Sequence, residues 1–112
     1  MKNWILVLPL TLFGCGTPSL ADCEGAYIGT FAGDDQGEVA GSLAADGTLT
    51  VTFVSSVGDL GATAIVAEDG TVDGTEATTT ISGTMDFATC EASGAWDTDS
   101  GAYVGTWEIA LE

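Results

Sequence analysis

The chain has 112 residues, of which 17 are Asp or Glu and one is Lys or Arg, so its formal net charge at pH 7 is −16. The basic residue, Lys2, precedes every acidic residue, and the sequence contains no His. This charge disfavours nucleic acid and anionic lipid surfaces as partners. Because the chain has no His and no Lys after Lys2, a Ser or Cys nucleophile would have no base, and we therefore predict that the protein is not an enzyme.

The first residues have the pattern of an export signal. Lys2 is followed by an apolar run from Trp4 to Phe13, which is shorter than the roughly 20 residues that a membrane-spanning helix needs. Pro9 lies in the middle of this run and disfavours a buried core helix. We therefore predict that the N-terminus directs export.

Two cleavage sites fit this signal. The segment Leu12-Phe13-Gly14-Cys15 resembles the lipobox of bacterial lipoproteins. The resemblance implies a signal peptide over residues 1–14, a lipid on Cys15 and a tether over residues 15–24. It also implies a lipid-anchored place in the cell envelope, and Gly16 indicates the outer membrane of a Gram-negative host. The alternative site follows Ala21, where cleavage would release a soluble secreted protein.

The cysteines form an even pair under either cleavage. Once Cys15 carries lipid or is removed, Cys23 and Cys90 remain. In an oxidising compartment such a pair is expected to form a disulfide. A loop of this length contributes about 4 kcal/mol to stability in the chain-entropy model.

The rest of the chain has the alternation of β-strands. Leu49, Val51 and Phe53 alternate with threonines, which gives a period of two and one buried face. Asp46-Gly47 and Asp69-Gly70 stand between such runs and indicate hairpin turns. We predict eight strands, at residues 25–32, 37–44, 48–55, 61–67, 71–76, 78–88, 92–97 and 102–111.

A short Gly motif repeats along these strands. Gly83-Thr84-Met85, Gly94-Ala95-Trp96 and Gly105-Thr106-Trp107 start 11 residues apart, as expected for a strand-and-turn meander. We predict one all-β domain over residues 25–112, an antiparallel meander closed into a small β-barrel, with a β-sandwich as the alternative. It resembles the small Gly/Thr/Trp-rich β-barrel domains that follow many bacterial lipoprotein signals, a resemblance that implies no specific activity.

Acidic pairs in two predicted turns are candidate calcium ligands. Asp97 and Asp99, with Glu108, have the spacing of positions 1, 3 and 12 of an EF-hand. Ala102 stands where that loop requires Gly, and the flanks read as strands, so an ordinary acidic turn is favoured. A weak surface Ca²⁺ site at Asp97 and Asp99, or at Asp34 and Asp35, stays an alternative. No other cofactor is predicted.

Two functions fit these observations. The first is a lipid-anchored structural or interaction module of the cell envelope, which contacts a protein or a glycan and carries no catalytic residues. The alternative is a small barrel, anchored or secreted, that binds an apolar, sugar or divalent-cation ligand.

Overall fold

The structure is a computed structural model that describes residues 18–56, 58–76, 78–98 and 101–112. A 3-10 helix at Leu20–Cys23 precedes eight strands. The strands are β1 (Gly25–Gly33), β2 (Gly37–Leu43), β3 (Thr48–Ser55), β4 (Gly58–Val66), β5 (Thr71–Glu76), β6 (Thr79–Asp86), β7 (Glu91–Thr98) and β8 (Tyr103–Leu111). None of the helices in these ranges is long and apolar enough to span a membrane. The predicted lipid site, Cys15, lies outside the described residues.

The strands form a closed antiparallel meander. Each strand pairs with the next, and β8 pairs with β1, with Phe31 opposite Trp107. This last pairing joins the two ends of the sheet and confirms the predicted barrel in place of the sandwich. Two predicted bounds shift by two residues or more. The fourth strand begins at Gly58 because residues 58–60 pair with 53–55, and the sixth ends at Asp86 because a turn follows it.

The barrel interior holds the predicted apolar face. Leu49, Val51 and Phe53 of β3 are each at most 5% exposed, whereas Thr50, between them, is exposed. The same alternation on the other strands fills the interior with side chains such as Trp107 and Ile109. Burying one such side chain contributes about 1.5–3 kcal/mol, so the alternation largely decides which way each strand faces.

Two hairpins are closed by the same Asp-Gly-Thr turn. The Asp46 carboxylate accepts a hydrogen bond from the Thr48 backbone N–H at 2.9 Å, and the Asp69 carboxylate accepts one from Thr71 at 2.9 Å. The intervening Gly47 has a φ of 94°, which disfavours any residue with a side chain. The Thr48 backbone N–H, and then its hydroxyl, hold the pKa of the Asp46 carboxyl below its usual value of 3.8.

This lowered pKa predicts a pH-dependent contribution from Asp46. Because the pKa is lower in the folded state, the ionised carboxylate stabilises the fold above the unfolded-state pKa. This stabilisation is lost as the pH falls through the folded-state value. Denaturant unfolding at pH 7 should therefore show Asp46→Asn less stable than an Asp73→Asn control, which removes one exposed charge from mid-strand. The difference should shrink as the pH falls below the unfolded-state value of about 3.9. A difference that persists in acid would contradict this.

One end of the barrel is covered by the N-terminal segment. Leu20 of the 3-10 helix packs against the core, and the side chain of Cys23 is fully buried. The buried Tyr27 hydroxyl donates a hydrogen bond to the Cys23 carbonyl oxygen at 2.6 Å, and burial raises the pKa of Tyr27. Cys23 is disulfide-bonded to Cys90 in the turn after β6, as the sequence predicts, with a Cα–Cα distance of 5.3 Å.

Candidate functional site

The two ends of the barrel differ in how they are covered. In an up-and-down meander, alternate connections lie at the same end. The connections after β2, β4 and β6 share one end with the 3-10 helix and the disulfide, which we call the closed end. The connections after β1, β3, β5 and β7 surround the other, which we call the open end. A cavity of about 570 Å³ lies at the open end.

The floor of this cavity is aromatic. Phe31, Phe53 and Trp96 point inward from β1, β3 and β7 and are each 5% exposed. The rings of Phe31 and Phe53 are stacked with centroids 5.1 Å apart, and Phe31 meets Trp96 edge to face at 6.1 Å. These contacts fix the three rings against one another, so the floor is formed before any ligand arrives.

Two inward-facing side chains form exposed apolar walls. Leu60 lies on the same face of β4 as buried Ala62, and Tyr103 lies on the same face of β8 as buried Trp107. Leu60 is nevertheless 36% exposed and Tyr103 is 54% exposed. Both side chains line the cavity, so the described residues leave the interior of the barrel open at this end. We call the space bounded by Phe31, Phe53, Trp96 and these two walls the cup.

The rim of the cup is acidic. Asp34, Asp35 and Asp59 line it. The Asp34 carboxylate accepts a hydrogen bond from the Val104 backbone N–H at 2.8 Å, and the Asp35 carboxylate accepts one from the Gln36 N–H at 2.8 Å. The backbone therefore fixes the position of two of the three carboxylates at the mouth of the cup.

The two inward-facing indoles of the barrel differ in their hydrogen bonding. Nε1 of Trp107 donates to the carbonyl oxygens of Ser82 and Ala95, at 3.2 and 3.1 Å. Nε1 of Trp96, in the cup floor, lies over the inward face of Gly105. Of the buried side-chain nitrogen and oxygen atoms in the described ranges, it is the one without a hydrogen-bond partner. An unsatisfied buried donor costs about 1–3 kcal/mol.

The candidate calcium ligands are dispersed. Asp34 and Asp35 lie on the rim of the cup, whereas Asp97 pairs with Val104 on the face of β7 opposite to Trp96. Asp99 lies outside the described residues. Within the parts of the chain that the structure describes, no three acidic or Cys side chains lie close enough to hold a metal ion. The calcium hypothesis gains no support from this arrangement.

A second depression, of about 500 Å³, lies on the outer wall across β1, β8, β7 and β6. Its lining combines small residues such as Gly29 and Ala92 with the polar side chains of Thr30, Ser93 and Glu108. It lacks aromatic side chains within the described ranges. Ligand sites are usually mostly apolar with a few placed polar groups, and this description fits the cup better.

The sequence predicts strands for Trp96 and Trp107, but it does not predict the cup. The sequence did contain a signal for such a site, because Asp or aromatic residues lie in or beside the connections after β1, β3 and β7. In a meander these connections meet at one end. The sequence alone, however, does not tell which inward-facing side chains stay exposed at the end of the barrel. That information is needed to recognise one site formed by Phe31, Phe53, Leu60 and Tyr103.

No protein-family model matches the sequence, and no curated protein shows significant sequence similarity to it.

Proposed function

We propose that the protein is a lipid-anchored, non-enzymatic binding module of the bacterial cell envelope, and that its binding site is the cup. The observation that carries this proposal is the exposure of Leu60 and Tyr103, which face the barrel interior and yet remain accessible. Mouths of β-barrels are common ligand sites, and about 570 Å³ lies in the size range of small-molecule pockets. This favours the ligand-binding alternative over a purely structural role.

The arrangement of the two ends supports an anchored receptor. Residues 18–24 lie at the closed end, so a chain leading back to a lipid on Cys15 leaves the barrel there. Five residues, 15–19, reach at most about 17 Å when extended. The anchor would hold the closed end near the bilayer, and the cup would face away from it. A ligand or partner could then reach the cup without meeting the membrane.

Lipidation is tested by the mass of the mature protein. Intact-mass analysis of the membrane fraction should show a chain that begins at Cys15 and carries acyl chains. A mature chain beginning at unmodified Asp22 would overturn the anchor and favour the secreted form. The binding role of the cup would then stand or fall on its own test.

The cup is tested with the neutral dye N-phenyl-1-naphthylamine, whose fluorescence rises in apolar surroundings. Replacing both Leu60 and Tyr103 with serine should weaken dye binding by at least about tenfold, since each apolar side chain that the dye covers contributes about 1 kcal/mol or more. The control replaces Ile28 and Ile65 with serine, because both are 54% exposed but lie on the outer face. The control variant carries the same N-terminal lipid as the wild type, so any dye that binds to the lipid contributes equally to both signals.

The control should leave dye binding unchanged. Equal losses in the two double variants, or no binding to the wild type above that lipid background, would overturn the cup as the site.

A further inference from the structure

We propose that the ligand of the cup is a small organic cation with an apolar or aromatic body, an inference that rests on the binding role proposed above. The first support is the rim. Asp34, Asp35 and Asp59 place three carboxylates around an apolar cavity, and the chain beyond Lys2 contains no Lys, Arg or His to neutralise them. Walls of low dielectric focus such a field, so the mouth of the cup attracts cations and repels anions.

The carboxylates are available to a ligand. Asp34 and Asp35 each use one oxygen for a backbone N–H, and no other hydrogen bond within the described ranges occupies the second oxygen. Asp59, at the start of β4, is exposed. An ammonium group at the rim could therefore meet carboxylate oxygens without displacing a hydrogen bond between described residues.

The aromatic lining suits the same ligand. Organic cations bind beside the rings of Trp, Tyr and Phe, and this attraction increases as water is excluded. Tyr103 offers the most exposed ring of the cup, directly beside Val104, whose N–H is bonded to Asp34. The apolar body of the ligand would cover Leu60 and the floor while its charge stays at the rim.

An observation independent of charge also indicates a bound molecule. Trp96 is only 5% exposed, and its Nε1 donor in the cup floor has no hydrogen-bond partner within the described ranges. A small turn of the indole toward the cup would let a ligand oxygen at the inner end supply the acceptor. The cup then has a polarity, with one indole donor at the floor and carboxylates at the rim, that fits a cation with its charge at the outer end.

Other occupants fit less well. A second copy of the chain would bring its own acidic rim against this one, and like charges repel. A bare metal ion would need at least three grouped ligands, and the described residues do not provide them. Anionic ligands would meet three carboxylates and no cationic group.

The test is displacement of N-phenyl-1-naphthylamine from the cup by three probes of similar size at about 20 mM salt, where electrostatic screening is weak. The probes are 2-phenylethylammonium, neutral 2-phenylethanol and anionic phenylacetate. The ammonium probe should bind about tenfold more tightly than the alcohol, which corresponds to about 1.4 kcal/mol. Its affinity should fall on raising NaCl, that of the alcohol should not, and phenylacetate should not compete.

Matched variants separate the rim from the net charge. Replacing Asp35 and Asp59 with asparagine should lower the affinity for the ammonium probe by about tenfold and leave the affinity for the alcohol unchanged. The control, Glu68→Gln with Asp73→Asn, removes the same charge away from the cup and should have a much smaller effect.

Each outcome decides between the proposals. Equal affinity for ammonium and alcohol, with dye binding intact, would overturn the cation and leave the cup standing. If both double variants lower the affinity for the ammonium probe equally, the rim is not its binding site. Failure of the wild type to bind the dye at all would overturn the proposed function itself.

Discussion

Removing the disulfide between Cys23 and Cys90 is expected to lower the free energy of unfolding by about 4 kcal/mol. The bridge joins residues 67 apart in the sequence, so it removes much of the conformational freedom of the unfolded chain. It also fastens the 3-10 helix over the closed end, where Cys23 is fully buried. Small domains have a total stability of about 5–15 kcal/mol, so this loss brings the protein close to unfolding.

The measurement is urea unfolding, followed by tryptophan fluorescence, of the wild type and of Cys23→Ala with Cys90→Ala. The wild type in the presence of a reductant is the matched control, because it loses the bridge without losing any side-chain volume. Both should unfold at much lower urea concentration than the oxidised protein. If reduction changes the free energy of unfolding by less than about 1 kcal/mol, the bridge is not what holds the closed end.

Local pattern was enough to predict most of the fold. The alternation of Leu49, Val51 and Phe53 with threonine, followed by Asp-Gly turns, placed most strands within two residues of their observed bounds. The start of β4 was missed because Gly58, Asp59 and Gly61 carry no apolar alternation. Their strand conformation follows from pairing with β3. Such pairing is a property of two segments together, and a single window of sequence does not contain it.

Closure and the cup depend on still more distant contacts. The pairing of β1 with β8 joins residues that lie 72 to 84 positions apart, such as Phe31 with Trp107 and Gly33 with Gly105. The sequence predicted a barrel from the regularity of the meander, and this pairing confirms it. The cup could not be predicted in the same way, because the exposure of Leu60 and Tyr103 depends on what covers each end of the closed barrel.

The inward-facing glycines of the barrel are part of how it closes, and Gly94 gives the sharpest test. Gly94 of β7 lies opposite Gly83 of β6. A Cβ added at Gly94 would lie less than 3.0 Å from the Ser82 carbonyl oxygen and from the Gly83 Cα. The backbone cannot easily withdraw, because the same Ser82 carbonyl accepts a hydrogen bond from Trp107. Gly94→Ala is therefore expected to lower the free energy of unfolding by about 3 kcal/mol.

The control for this prediction is Gly61→Ala in β4, where an added Cβ has nothing within 4 Å. Neither glycine has the positive φ that would by itself disfavour alanine, so the two substitutions differ in packing alone. Gly61→Ala should change the stability by less than about 1 kcal/mol, and a small gain is expected from the stiffer unfolded chain. Thermal unfolding should place the melting temperature of Gly94→Ala at least about 10 °C below that of Gly61→Ala. Equal melting temperatures would mean that the approach of β6 and β7 at Gly83 and Gly94 can relax, and that closure of the barrel does not depend on the missing side chains.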